Sequence, residues 1–523
     1  MVTAAACLGL LAVAGPPIDL QDRWGRSLLD RGVELVDWDG PIANPAPTVT
    51  VRATERLQAP ARVTIRCEKP LVEFELYSTF GPEGSEKVVF LPDGRSAVSF
   101  RLRLVPYASQ ASGSLELTLD DANEHRYTVK VPWRSVAVPP PPDPMPAPPA
   151  LNVVASFDQD ATGFLADPRV RDVVRQALWS WTHYLADPGF DEVPAGSQSS
   201  WVFEPDSFDR GWWQPIAEAY RGFHLFVQGI HSPLRRSGGA ASSHPSEQTI
   251  RGRPVGFRRS GTVILETGGN YNELGWQVLD WDVDAWRASN QSATSHDLYS
   301  ICRHEVGHAL GFHRVHPAYA RLAREGRFRG PRVRKYVGYA PAADPTEHFV
   351  GTVDPSSGSG VFGNEYGGLF PRKRWYVTKL DLLAMADLGY GLQNRDAFWA
   401  LGCGEVRFRP TDRVQTARAW GGVPPYRFRS EGAWPPGLSI DDQTGAIRWD
   451  GSVSSSGSFA YSVEDQLGAK ARGRVTVPKG VSALCPRPWP ARSRTRIRRS
   501  SAWERSRDQR ASRVSGRVRP GGA

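Results

Sequence analysis

A chain of 523 residues with 40% hydrophobic content can bury several cores, so two to four domains are expected. The formal net charge of +9 would point to nucleic acid or an acidic membrane surface if it were spread over the chain. It is not: residues 487–519 carry 12 Arg against Glu504 and Asp508, a net of +10, which leaves −1 on everything before them and argues against a specific nucleic-acid partner.

The first residues, MVTAAACLGLLAVAG, form an apolar run closing on Ala12-Val13-Ala14. Segment 1–19 reads as a secretory signal peptide without the usual basic start, which predicts a secreted, extracellular or periplasmic location. A buried amino-terminal segment is the plainer alternative. Cys7 does not read as a lipid attachment site, because apolar residues follow it. No later stretch reaches the ~20 apolar residues of a membrane span. Residues 20–137 contain TVTVRATE, ARVTIRC, KVVFLP, AVSFRLRLV, SLELTLD and YTVKVPW, which alternate apolar and polar between turn residues. That rhythm predicts a β-sandwich, and without a cluster of catalytic residue types it reads as an accessory domain. Residues 138–150 hold PPPPDPMPAPP, which predicts an extended polyproline spacer and a domain boundary.

From 151 to 395 the rhythm changes to α/β. Residues 151–157 predict a strand, and Asp167-Pro168 opens a helix with Val170, Val173, Val174, Ala177, Leu178, Trp181 and Leu185 on its apolar stripe. Residues 224–230 and 262–267 predict strands. SHDLYSICRHEVGHALG predicts a helix with Asp297 as N-cap and Gly311 as terminator. Thr378-x-x-Asp381 predicts the capping box of a closing helix that stops at Gly389. Residues 400–480 return to a β pattern, GGVPPYRF, WPPGLSIDDQTGAIRWDG and FAYSVEDQLG. This stretch resembles the immunoglobulin-like domain repeated in bacterial surface proteins, which implies an adhesive or spacing module and association with a cell surface or matrix. Cys403 and Cys485 bracket it and could close it with a disulfide in an oxidising compartment. The Arg- and Ser-rich stretch 486–523 is expected to be disordered.

The chemistry concentrates in residues 304–316, HEVGHALGFHRVH. His-Glu-x-x-His on a helix sets two imidazoles at i and i+4, one turn apart on one face, the spacing that grips a zinc ion. Glu305 between them can take a proton from water activated by the metal. Cys302 points to a different face and reads as a core thiol. The plain alternative is a helix whose histidines line a core, but two aligned imidazoles with a flanking carboxylate are costly to bury without a metal.

HEVGHALGF resembles the metzincin zinc endopeptidases, in particular their matrixin-like and astacin-like branches, whose pattern is HExxHxxGxxH. The resemblance implies His304 and His308 as zinc ligands, Glu305 as general base and Gly311 as the turn that brings back a third His. The helix opening DLYSICRHEVGHALG and the closing segment VTKLDLLAMADLGY are similar to the matrixin arrangement as well. The chain departs from the pattern in two places. Three residues after Gly311 stands Arg314, which cannot bind zinc. In an extended chain His316 shares a face with position 314 while His313 points away, so His316 is the expected third ligand, His313 the alternative and His348 a more distant option. Nor does a Met lie between the HExxH helix and Val377, where the family places one beneath the metal. Residues 358–368, GSGVFGNEYGG, occupy that region, with Val361 or Phe362 as a replacement pedestal. Glu365 is a candidate carboxylate ligand. Tyr366 is either an auxiliary ligand or oxyanion donor, or a ring packed in a glycine-rich loop. Met385 reads as core.

The sequence thus predicts a multidomain protein: a central α+β zincin-like metallopeptidase domain, a mixed sheet plus active-site helix, flanked by β-sandwiches. The expected function is a secreted zinc endopeptidase acting on proteins or peptides, with substrate extended along the strand SGTVILETGG. The competing reading is an inactive metallopeptidase-like domain in an extracellular binding protein. Cys67, in the accessory domain, is a candidate latency thiol.

Overall fold

In the computed structural model the described residues are 17–37, 44–54, 60–68, 72–75, 86–91, 97–104, 111–120, 126–142, 147–160, 162–204, 210–230, 246–266, 298–358, 360–363, 375–393, 400–451 and 456–478. The signal-like residues 1–16, Cys7, Asp297, Glu365, Tyr366, Cys485 and the Arg-rich tail lie outside them. The chain up to Gly480 clusters as one unit, and within it the described residues are mostly strand and bury three main cores.

The alternating segments of the amino-terminal region pair as two sheets. One orders the strands Ile18–Gln21, Thr48–Ala53, Ala97–Leu104 and Val72–Glu75; the other orders Val33–Asp37, Arg126–Ala137, Ser112–Asp120, Ala61–Cys67 and Glu86–Leu91. Their facing side chains, among them Leu35, Val51, Ile65, Leu102, Leu117 and Trp133, form a core of their own, as period-two alternation requires.

The central region is organised by three parallel strands, Val153–Ser156, Phe223–Ile230 and Ser260–Glu266, with Phe223–Ile230 in the middle. Every residue of that middle strand is buried, the mark of a strand covered on both faces. On one face Leu225, Val227, Val263 and Leu265 share a core with the helices Pro168–Thr182 and Leu298–Leu310. On the other lies the hairpin Ser199–Phe203/Gly211–Pro215, whose backbone is held by side chains of the sheet: Gln228 Oε1 accepts from Phe203 N–H at 2.9 Å and Ser260 Oγ donates to Ser199 O at 3.2 Å. The expected mixed sheet is therefore, among the described residues, a parallel one, with antiparallel pairing confined to small ribbons.

The first helix starts as expected, Asp167 accepting from Arg169 N–H with Pro168 at the first helical position. It stops at Thr182, so Leu185 is not on its apolar stripe; Leu185 pairs instead with Leu392 in a short antiparallel strand. The closing helix Lys379–Leu388 carries the predicted capping box of Thr378 and Asp381 and ends at Gly389.

The carboxy-terminal region forms a second sandwich around Ile447, Trp449, Tyr461, Val463 and Val475. The proline linker is not a free spacer: Gly421 N–H donates to Pro139 O at 3.0 Å, Asp187 N–H to Pro149 O at 2.9 Å and Leu151 N–H to Leu185 O at 2.9 Å. The amino-terminal sandwich also grips the central region, with Ala46 N–H donating to Ser356 O at 2.6 Å and Arg103 Nη1 to Ser357 O at 3.2 Å. Among the described residues no helix is long and apolar enough to cross a membrane.

Candidate metal centre

The helix Leu298–Leu310 is buried along its whole length, so every polar group on it needs a partner inside the protein. Arg303, with no exposed surface, shows how this is met: Nε donates to Ser180 Oγ at 2.8 Å, Nη1 to Trp375 O at 2.8 Å, and the guanidinium lies 3.6 Å over the Tyr299 ring. Trp181 Nε1 donates back to Arg303 O at 2.8 Å. This network pins the helix to Pro168–Thr182 beside the first histidine.

His304 and His308 lie one turn apart on that helix, and a third ring joins them from a loop 40 residues further on, that of His348. The Nε2 atoms of the three converge: 3.1 Å between His304 and His308, 3.3 Å between His308 and His348, and 3.0 Å between His304 and His348. The rings of His304 and His348 are parallel, and that of His308 is perpendicular to both.

Each ring is oriented by its other nitrogen. His304 Nδ1 donates to Val361 O, and His308 Nδ1 to Phe312 O at 2.7 Å. Thr346 Oγ1 spends its proton on Asp344 Oδ1 at 2.8 Å, so at 2.9 Å it accepts from His348 Nδ1. With all three Nδ1 atoms protonated, the neutral rings present bare lone pairs at Nε2. Burial, and then the neighbouring imidazoles, keep them neutral: His304 is pushed down to about 3, His308 well below its usual value, and His348 is lowered by burial.

Three lone pairs this close repel one another unless a cation lies between them. Zinc–nitrogen bonds of ~2.0–2.1 Å at tetrahedral angles put ligand nitrogens roughly 3.3–3.4 Å apart, near the separations seen here. The residues present therefore fit a small divalent ion, and among the described residues these three form a group that could hold one. Glu305 follows His304 on the helix; burial pushes its carboxyl up to about 8. Beneath the group the Phe362 ring lies 5.6 Å from that of His308 and 3.9 Å, stacked, from that of Phe312.

The expected third ligand is thus corrected. His316 lies outside the group: it precedes the helix Pro317–Leu322 as its N-cap, and its Nδ1 accepts the Arg258 backbone N–H at 3.1 Å. The chain bends so soon after Leu310 that the alternation argument for an extended strand does not apply. His313 is also outside, its Nδ1 accepting Val315 N–H at 3.1 Å and its Nε2 facing Glu347 at 3.7 Å. Val361 and Phe362 do lie beneath the histidines, one through its carbonyl and one through its ring. Met385 and Cys302 are core residues, and Cys67 sits in the amino-terminal core.

Sequence reasoning missed three supporting residues: Arg303, Asp344 and Glu347. Asp344-Pro345-Thr346 carried the signal for the second, since Asp before Pro favours a turn in which the carboxylate caps the following N–H groups. Its Oδ1 does so for Thr346 and His348, both at 2.9 Å.

No protein-family model and no curated protein matches the chain. Among solved structures it is similar to the PapD-like domain of human CEP192, at 5% identity over 26% of this chain and 94% of that chain, with a TM-score of 0.17. Extracellular cadherin domains of protocadherin gamma B2 align at 9% identity over 89% of this chain and 76% of that chain, with a TM-score of 0.13. An endo-fucoidan hydrolase of glycoside hydrolase family 107 aligns at 7% identity over 84% of this chain and 45% of that chain, with a TM-score of 0.11. Overlaps this small carry no argument about fold or function.

Proposed function

We propose that this chain is a zinc-dependent peptide hydrolase with a zincin-like central region, in which His304, His308 and His348 hold the metal and Glu305 is the general base. The observation that carries the reading is the meeting of three neutral Nε2 atoms within 3.3 Å beside a buried carboxylate on the same helix. An all-imidazole set favours zinc or a neighbouring first-row ion over calcium or magnesium, which prefer oxygen. Bound there with three neutral ligands and a position open, zinc would polarise a carbonyl and lower the pKa of a water towards ~7. Glu305 takes the proton from the attacking water and hands it to the leaving amine.

An extended peptide would lie along Ser260–Glu266, one of the two outer strands of the parallel sheet among the described residues, by adding backbone hydrogen bonds to its edge. Export by the amino-terminal apolar run, and a surface-binding role for the carboxy-terminal sandwich, belong to the same proposal; sequencing the amino terminus of the mature protein tests the first.

The deciding experiment is metal analysis of the purified full chain, followed by cleavage of an unfolded protein substrate. The expected result is one zinc per chain and activity that Glu305→Ala abolishes. Absence of bound metal after zinc addition would remove the enzyme reading. Metal with undiminished cleavage in Glu305→Ala would remove Glu305 as the base. Metal with no cleavage in the parent would favour the inactive, binding-protein reading.

A further inference from the structure

Two of the three imidazoles are fixed by one helix, but His348 sits on a loop, and something must hold that loop against the helix. Within residues 344–348 the hydrogen bonds are local: Asp344 N–H donates to His348 O at 3.0 Å, Glu347 N–H to Asp344 O at 3.1 Å, and Asp344 Oδ1 accepts from Thr346 and His348 N–H. These shape the turn without locating it. The flanking strands Ala342–Ala343 and Phe349–Val350 pair with each other at the edge of a small sheet, and two tethers, one on either side of His348, tie the turn between them to the histidine site. After it, Phe349 N–H donates to Phe362 O at 2.7 Å, a backbone bond that any residue could make. Before it stands Glu347, in the left-handed region at φ 63, a costly conformation for a residue with a side chain. That conformation turns a buried carboxylate onto the chain just beyond the HExxH helix. Oε1 is 3.2 Å from Arg314 Nε, the same carboxylate accepts the Arg314 backbone N–H, and Oε2 is 3.7 Å from His313 Nε2.

We infer that Glu347 and Arg314 are positioning residues for the metal centre: their ion pair latches the 344–348 turn to the end of the HExxH helix and so seats His348. The inference rests on the three-histidine reading of the site. Arg314 occupies the place where the sequence resemblance called for a third ligand. Here the ligand has moved to position 348, and position 314 acts on it at one remove, by holding the turn that carries it.

The test uses the full chain and cobalt(II), whose visible absorption reports coordination number directly. The parent is expected to take one cobalt per chain with the intense band of a four-coordinate site. Arg314→Ala is expected to weaken cobalt and zinc affinity by roughly tenfold and Glu347→Ala by up to ~100-fold, the range for losing an outer partner of a ligand. Both should lose intensity in the cobalt band, and Glu347→Gln, which keeps an acceptor for the Arg314 N–H groups, should recover part of each loss. The Arg314 side chain is exposed, so its alanine variant is expected to stay folded even if Glu347→Ala does not. Parental affinity and a parental band in Arg314→Ala would overturn the latch, whatever Glu347→Ala does. A parent that binds no cobalt would overturn the three-histidine reading itself, and the latch with it.

Discussion

The carboxylate of Asp381 accepts the backbone N–H of Val361 at 3.2 Å, and the carbonyl of the same Val361 accepts Nδ1 of His304. A capping residue of the closing helix therefore reaches the three-histidine group through a single residue, Val361. The same carboxylate accepts from Phe362 N–H at 3.3 Å, Thr378 N–H at 2.8 Å and Thr378 Oγ1 at 2.8 Å, all buried. Asp381→Ala leaves these donors without partners, so a loss of about 3 kcal/mol or more is expected. Thermal denaturation should show a lowered midpoint, and a chelator competition should show weaker zinc binding. Parental zinc affinity in a folded Asp381→Ala would break the connection to His304.

Glu305 makes stability depend on pH in the metal-free protein. Burial raises its carboxyl from 4.5 to about 8. Between those values the folded chain holds a proton that the unfolded chain has released, so this group's contribution to stability declines as pH rises through the window. Glu305→Gln removes that dependence. Urea titrations of the metal-free proteins should converge near pH 5 and separate by pH 8, with the variant more stable by on the order of a few kcal/mol. The buried histidines shift in the opposite sense, but they are common to both proteins and cancel in the difference.

The identity of the third ligand is open to direct assay. His348→Ala should cost more zinc affinity than the ~10–100-fold expected for an outer partner. His316→Ala should keep its zinc and lose roughly 1–2 kcal/mol of stability, because Arg258 N–H loses its acceptor inside the protein. The reverse pattern would make His316 the third ligand, two residues beyond the position where HExxHxxGxxH proteins carry theirs.

Gly307 lies between the two helical histidines, where alanine would ordinarily strengthen a helix by up to ~1 kcal/mol. A Cβ there would stand 2.6 Å from both the Phe362 ring and the Trp181 ring. Gly307→Ala is therefore expected to destabilise the protein by roughly 1–3 kcal/mol through overpacking and to displace Phe362 from under His308. A higher melting temperature in this variant would contradict that packing.

The HExxH helix was legible because its two histidines are neighbours in sequence and their spacing is a helical turn. The capping box at Thr378 and the stop at Gly389 were legible for the same local reason, as were the alternating strands of the first sandwich. His348 was visible only as the most distant of three options, because its place depends on a turn closed by Asp344, on a left-handed Glu347 and on an ion pair to Arg314, none of which has a fixed sequence spacing. His316 misled because the argument for it assumed extended chain beyond Gly311, where the backbone instead bends and enters another helix at Pro317. Leu185 misled in a milder way: an apolar residue in phase with a helix was one turn past its end.

The bonds from Ala46 and Arg103 to the carbonyls of Ser356 and Ser357 carry a practical lesson about modularity. Residues 354–358 lead directly into the pedestal under His304, so the amino-terminal sandwich braces the floor of the metal centre. Cutting at the proline linker would yield a fragment with an unsupported floor. Recombination that swaps this sandwich for another must preserve its grip on that segment, which makes it a fixed companion of the three-histidine region and not an interchangeable attachment.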